Sequence, residues 1–272
     1  MTGKNRTFAT DMKIREIVGA LEEFAPLSLQ DSYDNAGLQI GLTEDAEATG
    51  ALLCLDVTEE VLDEAIRKKC NIVVSHHPLL FRPCKSITGA DYIERCIIKA
   101  IKNDIAIYSA HTNLDNTKDG VNYRIAQKLG LCNIAVLDPK NEVEGTGAGI
   151  IGHLAEPMEK EDFIAHVKEV FNADCIRFNS WTGKKVRNVA LCGGSGAFLM
   201  PKATALKADA FLTGEVGYHR FFGHDNELLL VELGHFESEQ YTIEILHEVI
   251  KRNTPDLPIY ETEVKTNPIN YI

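Results

Sequence analysis

No two cysteines in this sequence are spaced as C-x-x-C. The seven present, Cys54, Cys70, Cys84, Cys96, Cys132, Cys175 and Cys192, are odd in number and scattered. That excludes a zinc ribbon and a disulfide scaffold. Most sit among apolar neighbours and read as small core residues, a usage that fits a reducing compartment and predicts a cytoplasmic protein. Basic residues are also scarce: 28 Lys and Arg face 40 Asp and Glu, for a net charge of -12. Phosphate backbones are held by Lys and Arg. Lys184-Lys185 is only a short basic pair, so stable binding of duplex nucleic acid is not expected. There is no apolar run of membrane-spanning length, and the polar stretch Met1 to Thr10 has no signal-peptide pattern, so no membrane partner is expected. Low-complexity segments and internal repeats are absent as well.

The 272 residues are 44% hydrophobic and 25% charged, enough for two domains, or for one large α/β domain, with a sizeable core. Ile14, Ile17, Val18 and Leu21 recur at helical spacing, with Thr10 or Asp11 as N-cap. Pro26 to Glu44 reads as loop. The segments 51–56, 71–75 and 105–110 read as buried strands, separated by helices over 59–69 and 91–102. A further helix is opened by Asp119-Gly120. This alternation predicts an α/β fold with a parallel or mixed sheet. Lys140 to Gly147 reads as an inter-domain turn. Beyond it, strands near Ile150, 187–192, 210–213 and 228–233 alternate with helices near 160–171, up to Leu206 and over 237–252. The expected domains are a metal-binding lobe, 1–130 plus 231–272, and a second lobe, 131–230.

Ligands of open α/β sheets bind outside the carboxyl ends of the strands. Four polar clusters fall at such ends: S-H-H-P-L after Val74, A-H-T-N-L-D after Tyr108, G-E-V-G-Y-H after Thr213 and G-H-F-E-S-E after Val231. They hold five of the nine histidines. Neighbours in an extended chain point to opposite sides, so His76 and His77 suit two ions flanking the backbone better than one. Asp115 lies four residues after His111 and is a hard oxygen ligand; His111 is either a ligand or the residue that orients Asp115. His235 and Glu239, four apart at a helix start, can reach one ion, or Glu239 can bridge two.

Three imidazoles and two carboxylates exceed the needs of a three-ligand catalytic zinc. They suit two divalent ions sharing a carboxylate and a water, roughly 3.5–4 Å apart. Zinc, iron and manganese all fit such donors. A site with residual positive charge would attract a small anionic substrate. Gly193-Gly194-Ser195-Gly196 reads either as a phosphate-cradling turn or as a plain tight turn. His219 is either a proton-transfer residue or a satisfied strand-end histidine. His153, His166, His224 and His247 read as surface or core.

Taken together, D-N-A-G-L-Q-I-G (Asp34 to Gly41), S-H-H-P-L-L-F, A-H-T-N-L-D, G-G-S-G, T-G-E-V-G-Y-H, G-H-F-E-S-E and T-N-P-I (Thr266 to Ile269) resemble the NIF-three-like family of dinuclear metal-centre proteins, the GTP cyclohydrolase I type 2 homologues. The resemblance implies two intertwined α/β lobes with mixed sheets and a ring-shaped homohexamer. It implies His77 and Asp115 on one ion, His76 and His235 on the other, and Glu239 bridging. It further implies a metal-dependent hydrolase opening the purine ring of GTP with loss of formate, His111 or His219 moving the proton; the alternative is a non-catalytic metal-binding scaffold. Tyr33 stands where the family often has Trp, and Glu215 where it often has Asp; neither is expected to touch the ligands. The domain inserted in longer members is missing.

Overall fold

The computed structural model describes residues 12–41, 45–140, 143–181 and 183–272. Helix α1 (Ile14–Phe24) buries Ile14, Ile17, Ala20 and Leu21. The expected caps Thr10 and Asp11 lie outside the described residues; within them, Glu16 accepts the Lys13 N–H at 2.7 Å. There follow β1 (Gly37–Ile40), β2 (Ala51–Cys54), α2 (Glu59–Lys68), β3 (Ile72–Ser75), α3 (Tyr92–Lys102) and β4 (Ala106–Ser109). The chain continues through α4 (Thr112–Asn116), α5 (Val121–Lys128), β5 (Cys132–Pro139), β6 (Gly147–Met158), α6 (Lys160–Val170), β7 (Arg177–Phe178) and β8 (Val186–Cys192). Then come α7 (Met200–Ala205), β9 (Ala210–Thr213), β10 (Leu229–Glu232), α8 (His235–Glu239), α9 (Thr242–Asn253) and β11 (Ile259–Glu261).

The described residues divide into two compact units, each built from three stretches: those within 12–24, 35–110 and 246–266 in the first, and those within 25–34, 111–245 and 267–272 in the second. The first unit holds a five-stranded sheet of order β1-β4-β3-β2-β11. Its strands are parallel except β1, which runs antiparallel to β4 at the edge. Every residue of β2, β3 and β4 is buried, as expected for parallel strands covered on both faces. Helices α2 and α3 supply Val61, Leu62, Ala65, Cys96, Ile97 and Ala100 to the same core as Leu52, Val73 and Ile107. The helix starts are capped as their sequences dictate: Thr58 accepts the Val61 N–H and Asp91 accepts the Glu94 N–H.

The second unit holds a six-stranded sheet of order β5-β6-β8-β9-β10-β7. Strands β8, β9 and β10 are parallel, while β5, β6 and β7 pair antiparallel. Its core brings Ala190, Phe211 and Leu230 against Leu199, Met200 and Ala203. The fold is therefore mixed α/β with two mixed sheets.

Three expectations need correction. Pro26 to Glu44 contains the edge strand β1, short enough that its apolar alternation is only Leu38 and Ile40. Lys140 and residues 143–146 lie in the β5–β6 hairpin connection, closed by Lys140 N–H to Thr146 O at 3.0 Å, rather than in an inter-domain turn. The helix expected over 237–252 is two helices, broken after Glu239. Strands β7 and β11 are too short to show an apolar run, and β5, with its run Ile134 to Leu137, is a further strand that the periodicity reading did not single out.

Register places chemistry at one end of each sheet. Cys54, Ser75 and Ser109 are aligned in the first unit, so Asp56, His76-His77 and Ala110 all follow strand ends. Cys192, Thr213 and Glu232 are aligned in the second, so Gly193-Gly194, Gly214-Glu215 and Gly234-His235 do the same.

Candidate metal centre

In the first unit, His76 is buried and its Nδ1 lies 2.8 Å from the carbonyl oxygen of Ala110. His77, partly exposed, places Nδ1 2.7 Å from Asp56 Oδ1. Potential ligand atoms of the two imidazoles lie within 4.8 Å of each other. Thr266 donates its hydroxyl to the other oxygen of Asp56 at 3.0 Å. Burial pushes the Asp56 carboxyl up, but the His77 hydrogen bond and charge, then Thr266, pull it down further, and the net shift is downward. An acceptor on Nδ1 fixes the tautomer that carries its proton there and leaves the lone pair on Nε2, the arrangement typical of a metal-bound histidine.

In the second unit, α4 is a short, buried and almost wholly polar helix anchored by its own side chains. Asn113 donates to Ala25 O at 2.7 Å and Asn116 to Leu29 O at 3.0 Å. Asp34 accepts the Thr112 N–H at 3.0 Å. These bonds fix His111 and Asp115, whose N–H donates to His111 O at 3.0 Å. Asp34 Oδ1 also lies 2.7 Å from His111 Nδ1.

His235 opens α8 directly after Gly234, which has φ +105°. Its Nδ1 lies 2.8 Å from Glu215 Oε1, and Ser195 donates its hydroxyl to Glu215 Oε2 at 2.6 Å. On the other ring nitrogen, Nε2 is 3.1 Å from Glu239 Oε2. Glu239 is buried, and it and Asp115 also present ligand oxygens within 4.8 Å of each other. One buried carboxylate thus neighbours an imidazole and a second carboxylate. The thiol of Cys192 is raised well above its ordinary range, by burial first and then by the charges of Asp115 and Glu239.

The glycine turn after β8 holds Glu239 from behind. Gly194 has φ +56°, and a Cβ there would lie 2.3 Å from Glu239 Oε1, so only glycine lets the backbone pass so close. The turn's N–H groups are committed within the protein: Gly193 to Asn122 Oδ1, Gly194 to Ser238 Oγ and Gly196 to Thr213 Oγ1, each at 3.0 Å. Those donors leave little for a phosphate and favour the tight-turn reading. Asn122 also donates to Asp115 O at 3.1 Å, tying the turn to α4.

His219 falls on an exposed turn of 3-10 helix, its ring 6.4 Å from that of Phe222, and no described hydrogen bond joins it to the other candidates. His153 lies 3.0 Å from Asn133, His166 3.2 Å from Leu129 O and His247 2.9 Å from Glu261.

Three residues that sequence reasoning missed are the orienting carboxylates Asp34, Asp56 and Glu215. Glu215, expected to stand apart from the ligands, instead bonds His235. The available signal was position: each follows a strand or loop end within one of the motifs, or within two residues of β2.

The sequence profile of the Duf34/NIF3 (NGG1p interacting factor 3) family matches residues 12–268. The chain belongs to the Duf34/NIF3 family. A Clostridium acetobutylicum relative named GTP cyclohydrolase 1 type 2 homolog is 33% identical over 88% of this chain and 90% of its own length. A Bacillus cereus protein related to NIF3 superposes with a TM-score of 0.88 at 27% identity, over 97% of this chain and all of that one. Staphylococcus aureus protein SA1388 does so with 0.87 at 28%, over 96% of this chain and all of its own. In this Duf34/NIF3 member, His and carboxylate clusters that could hold a metal ion lie at the carboxyl ends of the strands. Among the described residues no helix is long and apolar enough to cross a membrane.

Proposed function

We propose that this protein binds two divalent metal ions through His76, His77, Asp115, His235 and Glu239, and uses them as a hydrolase on a nucleotide-like substrate. One observation carries the reading. His76, His77, His111 and His235 each set Nδ1 against a carbonyl or carboxylate oxygen at 2.7–2.8 Å, the tautomer-fixing support of metal-ligating histidines. His247 makes the same contact with Glu261, but no described metal-ligand cluster includes it.

When bound, a pair of divalent ions supplies positive charge to polarise a substrate oxygen and to acidify a water. The chain's own residues do the rest. Asp56, Asp34 and Glu215 hold imidazole orientation, and Glu239 is kept in place by the Gly194 turn. His111 or His219 moves the proton. The donors are imidazole and carboxylate, so zinc, iron and manganese all fit. The relatives' name, GTP cyclohydrolase 1 type 2 homolog, supports a purine nucleotide as substrate. Sheltering of an anionic substrate within a cytoplasmic homohexamer belongs to the same proposal.

The test is turnover of purified, metal-loaded protein against GTP and a panel of nucleotides and phosphoesters, with Glu239→Ala as control. Formate or phosphate release that disappears in Glu239→Ala supports the reading. Release that survives the substitution does not belong to this site, and a panel without turnover on fully loaded protein rejects the hydrolase.

A further inference from the structure

The second unit has a groove of about 450 Å³ away from the proposed ligands, lined by Arg177, Phe178, Ser180, Tyr218, Phe221 and Phe222, among others. Its volume is that of a small-molecule pocket. Three of its aromatic rings are unusually open to solvent: Tyr218 is 68% exposed, Phe222 63% and Phe178 46%. Large apolar rings left in the open at one concave place mark a binding site. The rings already meet at angles that leave faces presented. Tyr218 sits edge-on to Phe222, 5.4 Å between centroids at 76°, and edge-on to His219 at 5.2 Å.

The chemistry of the lining selects the ligand. Arg177 is its one cation among the described residues, and Glu232 grips it through both Nε and Nη2. Its guanidinium also lies 5.6 Å over the Phe221 ring. A neutralised cation does not recruit an anion. The Asn179 amide is committed on both sides, donating to Leu228 O and accepting from Leu230 N. What the groove offers is ring faces, and Ser180 and Asp225 also line it. Flat faces stack on flat faces, whatever the identity of the base.

The groove is also mechanically joined to the metal-site support. Arg177 Nη2 donates to Val216 O, and Val216 N–H donates to Glu232 Oε2 at 2.9 Å. Val216 directly follows Glu215, the residue that holds His235. Tyr218 is three residues from Glu215, a span of at most about 11 Å, within the reach of one nucleotide.

We infer that this groove is a stacking subsite for the planar heteroaromatic ring of the substrate, a purine-like base laid against the open ring faces of Tyr218 and Phe222 while its anionic portion reaches the metal centre. The inference rests on the proposed function and adds to it where the ring sits.

The experiment titrates guanosine and inorganic triphosphate, separately, into metal-loaded full-length protein by calorimetry, with metal content measured on the same samples. Variants are Phe222→Ala, Tyr218→Ala and Phe222→Tyr. The subsite predicts that each alanine variant weakens guanosine about tenfold and leaves triphosphate unchanged, while Phe222→Tyr binds guanosine as the parent does. Absence of guanosine binding, or binding indifferent to both alanines, overturns the subsite. So does an alanine variant that alters the sedimenting mass without altering guanosine affinity, because the rings then belong to contact with a second copy. Metal content and triphosphate binding report separately on the proposed function: their loss in the parent protein sinks that reading, and their persistence beside a failed guanosine test sinks the subsite alone.

Discussion

Replacing Gly194 with alanine tests whether the glycine turn exists to hold Glu239. Two costs follow from the geometry. At φ +56° an L-residue is disfavoured by about 1–2 kcal/mol, enough to lower Tm by a few degrees. The second cost is local: the new Cβ would stand 2.3 Å from Glu239 Oε1 and 3.2 Å from His235 Nε2. Restoring an ordinary carbon contact requires the carboxylate to retreat by about 1 Å. Metal–ligand distances tolerate about 0.2 Å, so Glu239 would leave its position. A loss of at least 10- to 100-fold in metal affinity is expected, since even outer-shell changes cost that much. Gly130→Ala is the matched control: Gly130 has φ +75° but nothing within 4 Å of its Cβ position, so it carries the backbone cost alone. Competition with a chromophoric zinc chelator reads the affinity, and calorimetry the Tm. Both variants should melt lower, and only Gly194→Ala should lose metal. Equal metal affinity in the two would refute the argument.

Glu215→Ala removes the acceptor on His235 Nδ1 and should weaken metal binding about 10- to 100-fold in the same competition assay, with far-UV circular dichroism unchanged. Phe211→Ala empties a fully buried position in the second unit's core and should cost about 3–5 kcal/mol in urea unfolding. Glu94 is held at about 2 against an ordinary 4.5 by the Ala90 N–H first, then by the Thr88 hydroxyl and N–H. Its folded pKa is depressed, so its stabilisation of the 88–90 loop is present above pH 4.5 and is lost as pH falls towards 2. Hydrogen exchange at the Thr88 amide should show that acid dependence, and Glu94→Gln should flatten it.

The parts of the fold legible in the sequence are those whose residues are buried on both sides. Strands β2, β3 and β4 announce themselves by apolar runs. Strands β1, β7 and β11 are short and pair with partners distant in the chain, so their sequences resemble loop. The His and carboxylate clusters that could hold a metal ion were legible because they fall in motifs at strand ends. Their supports were less so. Asp34 reaches His111 from 77 residues away, and no spacing rule connects them. Glu215, 20 residues before His235, is not expected to touch the ligands, yet its carboxylate reaches His235.

The central claim is a pair of metal ions on five side chains. It is tested most directly by elemental analysis of protein purified without added chelator, beside Glu239→Ala prepared identically. The account predicts two transition-metal ions per chain in the parent and one or none in the variant. Parent protein with no stoichiometric metal, or a variant retaining both ions, would contradict it.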